Sequence, residues 1–295
     1  MKNKILVLII IILIPICCFI MNKPKENIVS KEHSSIIVKL TKDNQDLSLD
    51  LNNYLIGVVG AEMPSSFNLE ALKAQAVASR TYALYNNYDN SIITNTMEQA
   101  YKSNAELASL WQDKYEEYYA KIKDAVVSTD NIVMKYDNSL IKSYYYAISN
   151  GYTEDAMTVF NESLPYLNVV DSTFDEDNKN YEVTKTMSLQ EFCNKLNIPV
   201  AKLEITDVIK DSSNRVLSLS INNNNFTGIN IRKSLSLRST DFTISVVDDN
   251  VNITTRGYGH GVGMSQYGAN YLANKGYNYQ DILKYYYQNI EITNY

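Results

Sequence analysis

Cysteine is nearly missing from the part of this chain that can fold in water. Of three cysteines, Cys17 and Cys18 sit in an apolar N-terminal run, which leaves Cys193 alone. One thiol builds neither an intramolecular disulfide nor a multi-cysteine zinc site. Because its neighbours Phe192, Leu196 and Ile198 are apolar, Cys193 is expected to be a small buried hydrophobe. An excess of positive charge is missing too: 27 Lys and Arg face 33 Asp and Glu, for a net charge of −6 and a sequence pI near 5.1. No general basic field exists, so nucleic acid is excluded as an expected partner. The glycine-rich run near the C-terminus lacks both the GxxxxGK[ST] arrangement and dinucleotide spacing after a clear strand, so it is not read as a phosphate loop. Internal repeats and the composition of a disordered chain are likewise absent.

What is present is a chain of 295 residues with 45% hydrophobic content, enough for one large domain or two coupled lobes. Tyrosine is abundant at 24 residues and clusters at Tyr144, Tyr145, Tyr146 and at Tyr285, Tyr286, Tyr287. Such rings can stack on sugar faces while their hydroxyls hydrogen-bond, or they can simply fill a core in a sequence of A+T-rich codon usage. At the N-terminus, Lys2 and Lys4 precede an apolar run from Ile5 to Met21. At about seventeen residues it is at the short end for a membrane span, and no small-residue cleavage site or convincing lipobox follows. Residues 1–21 are therefore expected to be an uncleaved single-pass transmembrane anchor. A polar, lysine-rich tether over 22–34 follows, and the folded domain of 35–295 lies outside the cell.

Alternating apolar residues predict strands at Ile36–Leu40 and Leu47–Leu51. Asn52 or Asn53 then caps a short helix that Pro64 must stop. The clearest helical spacing runs from Leu69 to Tyr85, with Asn68 as its cap. A second helical region spans Ala105–Val127, before strand candidates at Ile132–Lys135 and Ile141–Ile148. Ser188–Leu196 reads as a helix, and Leu203–Ile209, Val216–Ile221 and Phe242–Val247 read as strands, with the asparagines 222–225 as a turn. Helices and strands segregate, which argues for an α+β fold.

Two runs carry chemistry. In GVVGAEMPSSFNLEALKAQAVASRTYAL, Glu62 stands at the C-terminal end of a short helix beside Val59, Ala61 and Met63. The helix dipole and burial both disfavour its anion, so its pKa is expected to rise, as a general acid for glycosidic bond cleavage requires. An exposed helix-end glutamate is the plainer reading of the same residues. Lys73 and Arg80 lie about two turns apart on one face of the next helix, placed either to support Glu62 and bind substrate or to form a solvated surface. The second run, RGYGHGVGMSQYGANYLANKGYNYQDILKYYYQNIEI, interleaves glycines with His260, Ser265 and Gln266, so its backbone can approach a ligand closely. His260 can serve as a proton carrier or as a hydrogen-bonding post for a turn.

The blocks GVVGAEMP, EALKAQAVASRTYAL, SNGYTE with LPYL, LSLRSTDF, and GYGHGVGMSQYGA with ILKYYY together resemble the stage II sporulation protein D family over most of the chain. The resemblance implies a single large domain of two lobes with a cleft. It also implies a lytic transglycosylase that cuts between N-acetylmuramic acid and N-acetylglucosamine, leaving 1,6-anhydromuramyl ends during forespore engulfment. It carries the catalytic acid onto Glu62, active-site support onto Lys73 and Arg80, and cleft-lining positions onto Ser149, Gly151 and Thr153, while Tyr146, His260 and Gln266 are further candidates for substrate binding or support. Tyr146 stands where family members commonly have a histidine, which removes a possible metal ligand or substrate contact, so no cofactor and no metal are expected. Asp155 and Glu154 are candidates for the second carboxylate that a hydrolase would need about 5 to 10 Å away. The implied partners are peptidoglycan glycan strands, a wall amidase or endopeptidase, and a membrane scaffold of the engulfment machinery. A non-catalytic, glycan-binding enhancer of a wall amidase is the alternative.

Overall fold

The computed structural model describes residues 36–42, 45–86, 91–94 and 99–295. The expected anchor and tether over 1–34 lie outside them, and among the described residues no helix is long and apolar enough to cross a membrane. The chain opens with antiparallel strands β1 (Ile37–Lys42) and β2 (Gln45–Asp50), against which β3 (Ser91–Thr94) adds parallel to β1. Asp50 ends β2 and caps helix α1 (Leu51–Glu62), accepting from the Asn53 amide at 3.0 Å. The helix thus begins before the asparagines expected to cap it, because Asp50 is the first side chain able to reach an unpaired amide. Pro64 follows its C-cap Met63. Helix α2 (Leu69–Tyr85) starts as the spacing predicts, with Asn68 accepting from the Glu70 amide.

The long helical region separates into α3 (Asn104–Trp111) and α4 (Tyr115–Val127), joined by a 3-10 turn. Gln112 breaks it with φ at 49°, while Ser103 and Glu106 form a capping box at the start. After β4 (Ile132–Tyr136), β5 (Ser139–Leu140) and the two-residue β6 (Tyr145–Tyr146) comes the short helix α5 (Ala156–Phe160). β7 (Glu182–Ser188), α6 (Leu189–Leu196), β8 (Ile205–Lys210), β9 (Val216–Ile221), β10 (Asn224–Thr227), α7 (Gly228–Leu235), β11 (Phe242–Val247) and β12 (Asn250–Arg256) form the next block. Asn222 and Asn223 turn the β9–β10 hairpin with positive φ, as the asparagine run foretold. The chain ends with β13 (Met264–Ser265), α8 (Gln266–Asn274), α9 (Tyr279–Tyr286) and β14 (Glu291–Asn294), which pairs back onto β4.

The result is a mixed α/β domain with two hydrophobic clusters. The larger joins α1, α2, α4, α8 and α9 around residues such as Tyr54, Leu72, Val77 and Ile122. The smaller lies between α6, α7 and the strands β7–β12, and Cys193 is fully buried in it. Between Ile141 and Ile148, only Tyr145 and Tyr146 form a strand, because their partner is a stretch just as short. β6 runs parallel to β13, with Tyr145 opposite Met264 and Tyr146 opposite Ser265. This junction brings the middle of the chain to its glycine-rich end.

Candidate active site

Glu62 is the last residue of α1, and its side chain turns into a cavity of about 430 Å³ lined by Tyr82, Ser143, Tyr144, Tyr145, Phe160 and His260. One carboxylate oxygen accepts the Ala100 amide at 2.9 Å and the Tyr145 hydroxyl at a long 3.5 Å. Gln266 also donates to the carboxylate. All three donors favour the anion, yet burial outweighs them and holds the pKa above the ordinary glutamate value. A carboxyl that keeps its proton while surrounded by oriented donors can both give up and take back a proton.

The donors are themselves fixed. Gln99 donates to the Tyr145 hydroxyl and accepts from Tyr54, so the phenol is held in a chain that runs back into α1. Gln75 donates to Ser79 one turn on and lies within reach of Gln266. Gln75, Ser79 and Tyr82 fall on one face of α2, the face turned to the site. Gln266 is placed by Ser265, whose hydroxyl caps α8 by accepting the Gly268 amide. Gly263, at φ 80°, is required where the strand enters: a Cβ there would fall 2.0 Å from the Tyr144 carbonyl oxygen.

The face carrying Lys73 and Arg80 goes elsewhere. Arg80 is fully buried, and its guanidinium donates to the carbonyls of Thr129 at 2.7 Å, Val126 at 3.0 Å and Ile132 at 3.3 Å. It closes the C-terminal end of α4, where carbonyls lack helical partners. Burial there lowers its pKa to about 10. Lys73 pairs with Glu70 at 2.8 Å, and Glu70 in turn accepts the Tyr279 amide that begins α9. Neither cation lines the cavity. The direct support expected of them at Glu62 comes instead from Ala100, Tyr145 and Gln266, of which only Gln266 was expected to contribute.

Ser149, Gly151 and Thr153 build a turn beneath the glycine-rich run and are not among the residues lining the cavity. The Ser149 amide donates to Asp175 at 2.7 Å, Gly151 has φ at 120°, and the Thr153 hydroxyl accepts the Val170 amide. Asp175 also receives the Ser265 hydroxyl, and burial pushes its pKa up to about 7. Tyr146 is buried and does not line the cavity; it is packed beneath Gly259, where a Cβ would come 2.6 Å from its own Cβ. It fills the space below the GYGHG turn. Among the described residues, no group of three or more His, Cys, Asp or Glu is arranged to hold a metal ion.

His260 lines the cavity as a wedge between rings, edge-on to Phe160 at 5.2 Å and to Tyr144 at 5.9 Å. Its Nδ1 accepts the Val262 amide, while burial together with the positive charge of Arg232 and Arg215 lowers its pKa to about 3. A neutral imidazole fixed by its neighbours is a turn post at any physiological pH. Glu154 is buried, bonded to the Ser213 hydroxyl and 3.5 Å from the Arg215 guanidinium. Neither Glu154 nor Asp155 lines the cavity, so among the described residues Glu62 is the carboxylate of its wall.

Fold and site therefore define a mixed α/β protein whose half-buried Glu62 faces a tyrosine-lined cavity. Residues 42–136 match the SpoIID family, described as "Stage II sporulation protein". The chain is 40% identical over 270 residues to stage II sporulation protein D of Bacillus subtilis (strain 168), covering 88% of this chain and 79% of that one. It is 38% identical to the protein of the same name from Bacillus amyloliquefaciens, covering 88% and 78%. An amidase enhancer of Bacillus subtilis (strain 168) is 29% identical, over 82% of this chain and 40% of its own length. The chain belongs to the stage II sporulation protein D family.

Proposed function

We propose that this protein is a lytic transglycosylase acting on peptidoglycan glycan strands during sporulation, with Glu62 as general acid and then general base. The observation that carries the reading is the carboxyl of Glu62: burial raises its pKa, three donors orient it, and among the described residues it is the one carboxylate lining its cavity. Protonated Glu62 delivers its proton to the glycosidic oxygen. Its carboxylate, received by the Tyr145 hydroxyl, the Ala100 amide and Gln266, then takes the proton of the muramyl C6 hydroxyl as that oxygen closes on the anomeric carbon. One group thus serves both steps, whereas hydrolysis normally uses two carboxylates. The tyrosine and phenylalanine walls supply flat apolar faces for sugar rings.

The test is digestion of purified glycan in labelled water. Anhydro ends lighter by one water and free of solvent oxygen are expected, and labelled reducing ends would defeat the transglycosylase reading. Glu62→Gln should keep the fold and lower cleavage by about 10²–10⁴-fold, the usual contribution of a positioned acid. The similarity to an amidase enhancer favours a second reading, a glycan-binding domain that stimulates a wall amidase. No cleavage by the wild-type protein, together with stimulation of an added amidase, would select it. We further propose that residues 1–21 anchor the chain, with the domain facing the wall. Protease added to intact protoplasts should then remove the domain and leave a membrane-bound stub.

A further inference from the structure

The turn that closes α7 carries three cations, Arg232, Lys233 and Arg238, and among the described residues none of them is in an ion pair. Ser236 ends the helix in the left-handed conformation, and the Leu237 amide returns to the Arg232 carbonyl at 2.8 Å, so Arg232 and Arg238 leave one tight turn. That turn docks on the glycine-rich run, where the Arg238 carbonyl accepts the Gly259 amide at 3.0 Å and the Arg238 guanidinium lies 4.6 Å over the Tyr258 ring. The next residue, His260, is a wall of the Glu62 cavity. Arg215 packs its guanidinium against Gly261 from below and is paired with Glu154. Neither Arg232 nor Arg238 has such a partner. Among the described residues their one side-chain hydrogen bond is a long 3.4 Å contact from Arg232 Nε to the Leu237 carbonyl, and the buried Arg238 Nε has none.

The charge is felt nearby: on top of burial, Arg232 helps to depress His260, and burial together with Arg215 lowers Arg232. The chain carries a net charge of −6, yet among the described residues neither Arg232 nor Arg238 is in an ion pair. Partly buried guanidiniums without a counter-ion are costly, and a planar fork matches a carboxylate through two parallel hydrogen bonds. The geometry points to a carboxylate-binding subsite formed by Arg232 and Arg238 beside Tyr258, at the edge of the Glu62 cavity, that takes an acidic group of the bound strand. This inference rests on the glycan reading of that cavity. Two groups of such a strand share the chemistry: the lactyl carboxylate of a peptide-free muramyl residue, and the carboxylates of a stem peptide.

The test is calorimetric titration of the full chain in detergent, carrying Glu62→Gln to prevent turnover. Four ligands are compared: peptide-free glycan, the same glycan with its carboxylates reduced to alcohols, peptide-bearing glycan, and the stem peptide alone. Loss of a bidentate carboxylate contact should weaken binding about tenfold or more. If the lactyl group is the ligand, reduction of the peptide-free glycan produces that loss, and Arg232→Gln with Arg238→Gln produces it for the unreduced glycan. If the peptide is the ligand, the double substitution weakens peptide-bearing glycan and stem peptide instead. Equal binding of reduced and unreduced glycan, with peptide binding indifferent to the arginines, overturns the subsite. Because reduction alters the ligand and leaves the protein intact, a variant that failed to fold would not protect the proposal. Should no glycan bind, reduced or not, the glycan reading falls. The stem-peptide arm then still decides the arginine pair: arginine-dependent binding supports it and no binding overturns it.

Discussion

Replacing Arg80 separates two roles that its position on α2 leaves open, support of the chemistry and closure of a helix. Its fork spans three carbonyls, two at 2.7 and 3.0 Å and a weaker one at 3.3 Å. Hydrogen bonds to a charged donor are worth roughly 1.5–3 kcal/mol each, and the cost of burying the guanidinium offsets part of that. Arg80→Ala leaves the end of α4 unclosed inside the core and should lose about 3–5 kcal/mol, a large share of the ~5–15 kcal/mol that holds a domain together. With a urea slope of about 2–3 kcal/mol per molar, the unfolding midpoint should fall by roughly 1–2 M. Arg80→Lys keeps the charge, but a single ammonium cannot span the fork, so about half of that loss is expected. Urea titration followed by circular dichroism measures both. A wild-type midpoint for Arg80→Ala combined with lost glycan cleavage would show that the residue acts in the chemistry and that the helix-closure argument is wrong.

Tyr145→Phe removes a donor that favours the Glu62 anion, so the carboxyl should hold its proton to higher pH. The high-pH limb of cleavage should move upward, and a limb that stays or moves down would contradict the assignment of this hydroxyl. Asp175, lifted to about 7 from 3.8, keeps in the folded state a proton that the unfolded chain releases. Its contribution to stability is complete below about pH 4 and is lost as pH rises through 7. Asp175→Asn should therefore flatten the decline in urea midpoint between pH 4 and 7, and an unchanged slope would remove Asp175 from that dependence.

The helix that carries Glu62 and the helix after it could be read from the sequence because their signals are local: apolar spacing, Asn68 as a cap, Pro64 as a stop. The rise in the Glu62 pKa was also readable in direction, although its chief cause is burial and not the helix end. Tyr145 was hidden among three adjacent tyrosines, since the one that faces the acid is set by pairing with Met264 and Ser265 far along the chain. Arg80 misled because periodicity says which residues share a face and not what that face meets. The polar residues Gln75 and Ser79, one turn apart and followed by Tyr82, were the signal for the other face. Ala100 offers only a backbone amide, which no side-chain pattern reveals.

The two-residue ladder between Tyr145–Tyr146 and Met264–Ser265 also sets the order in which the Glu62 site is completed. Glu62 is among the first residues to be made, yet Gln266 meets Gln75 across 191 positions of sequence. Contacts that close so large a loop form late in folding. A chain still emerging, or one clipped ahead of its glycine-rich end, carries Glu62 without the tyrosine register, the Gln266 side chain or the His260 wall. A site built this way stays incomplete until the C-terminal segment of the chain has folded back against its middle.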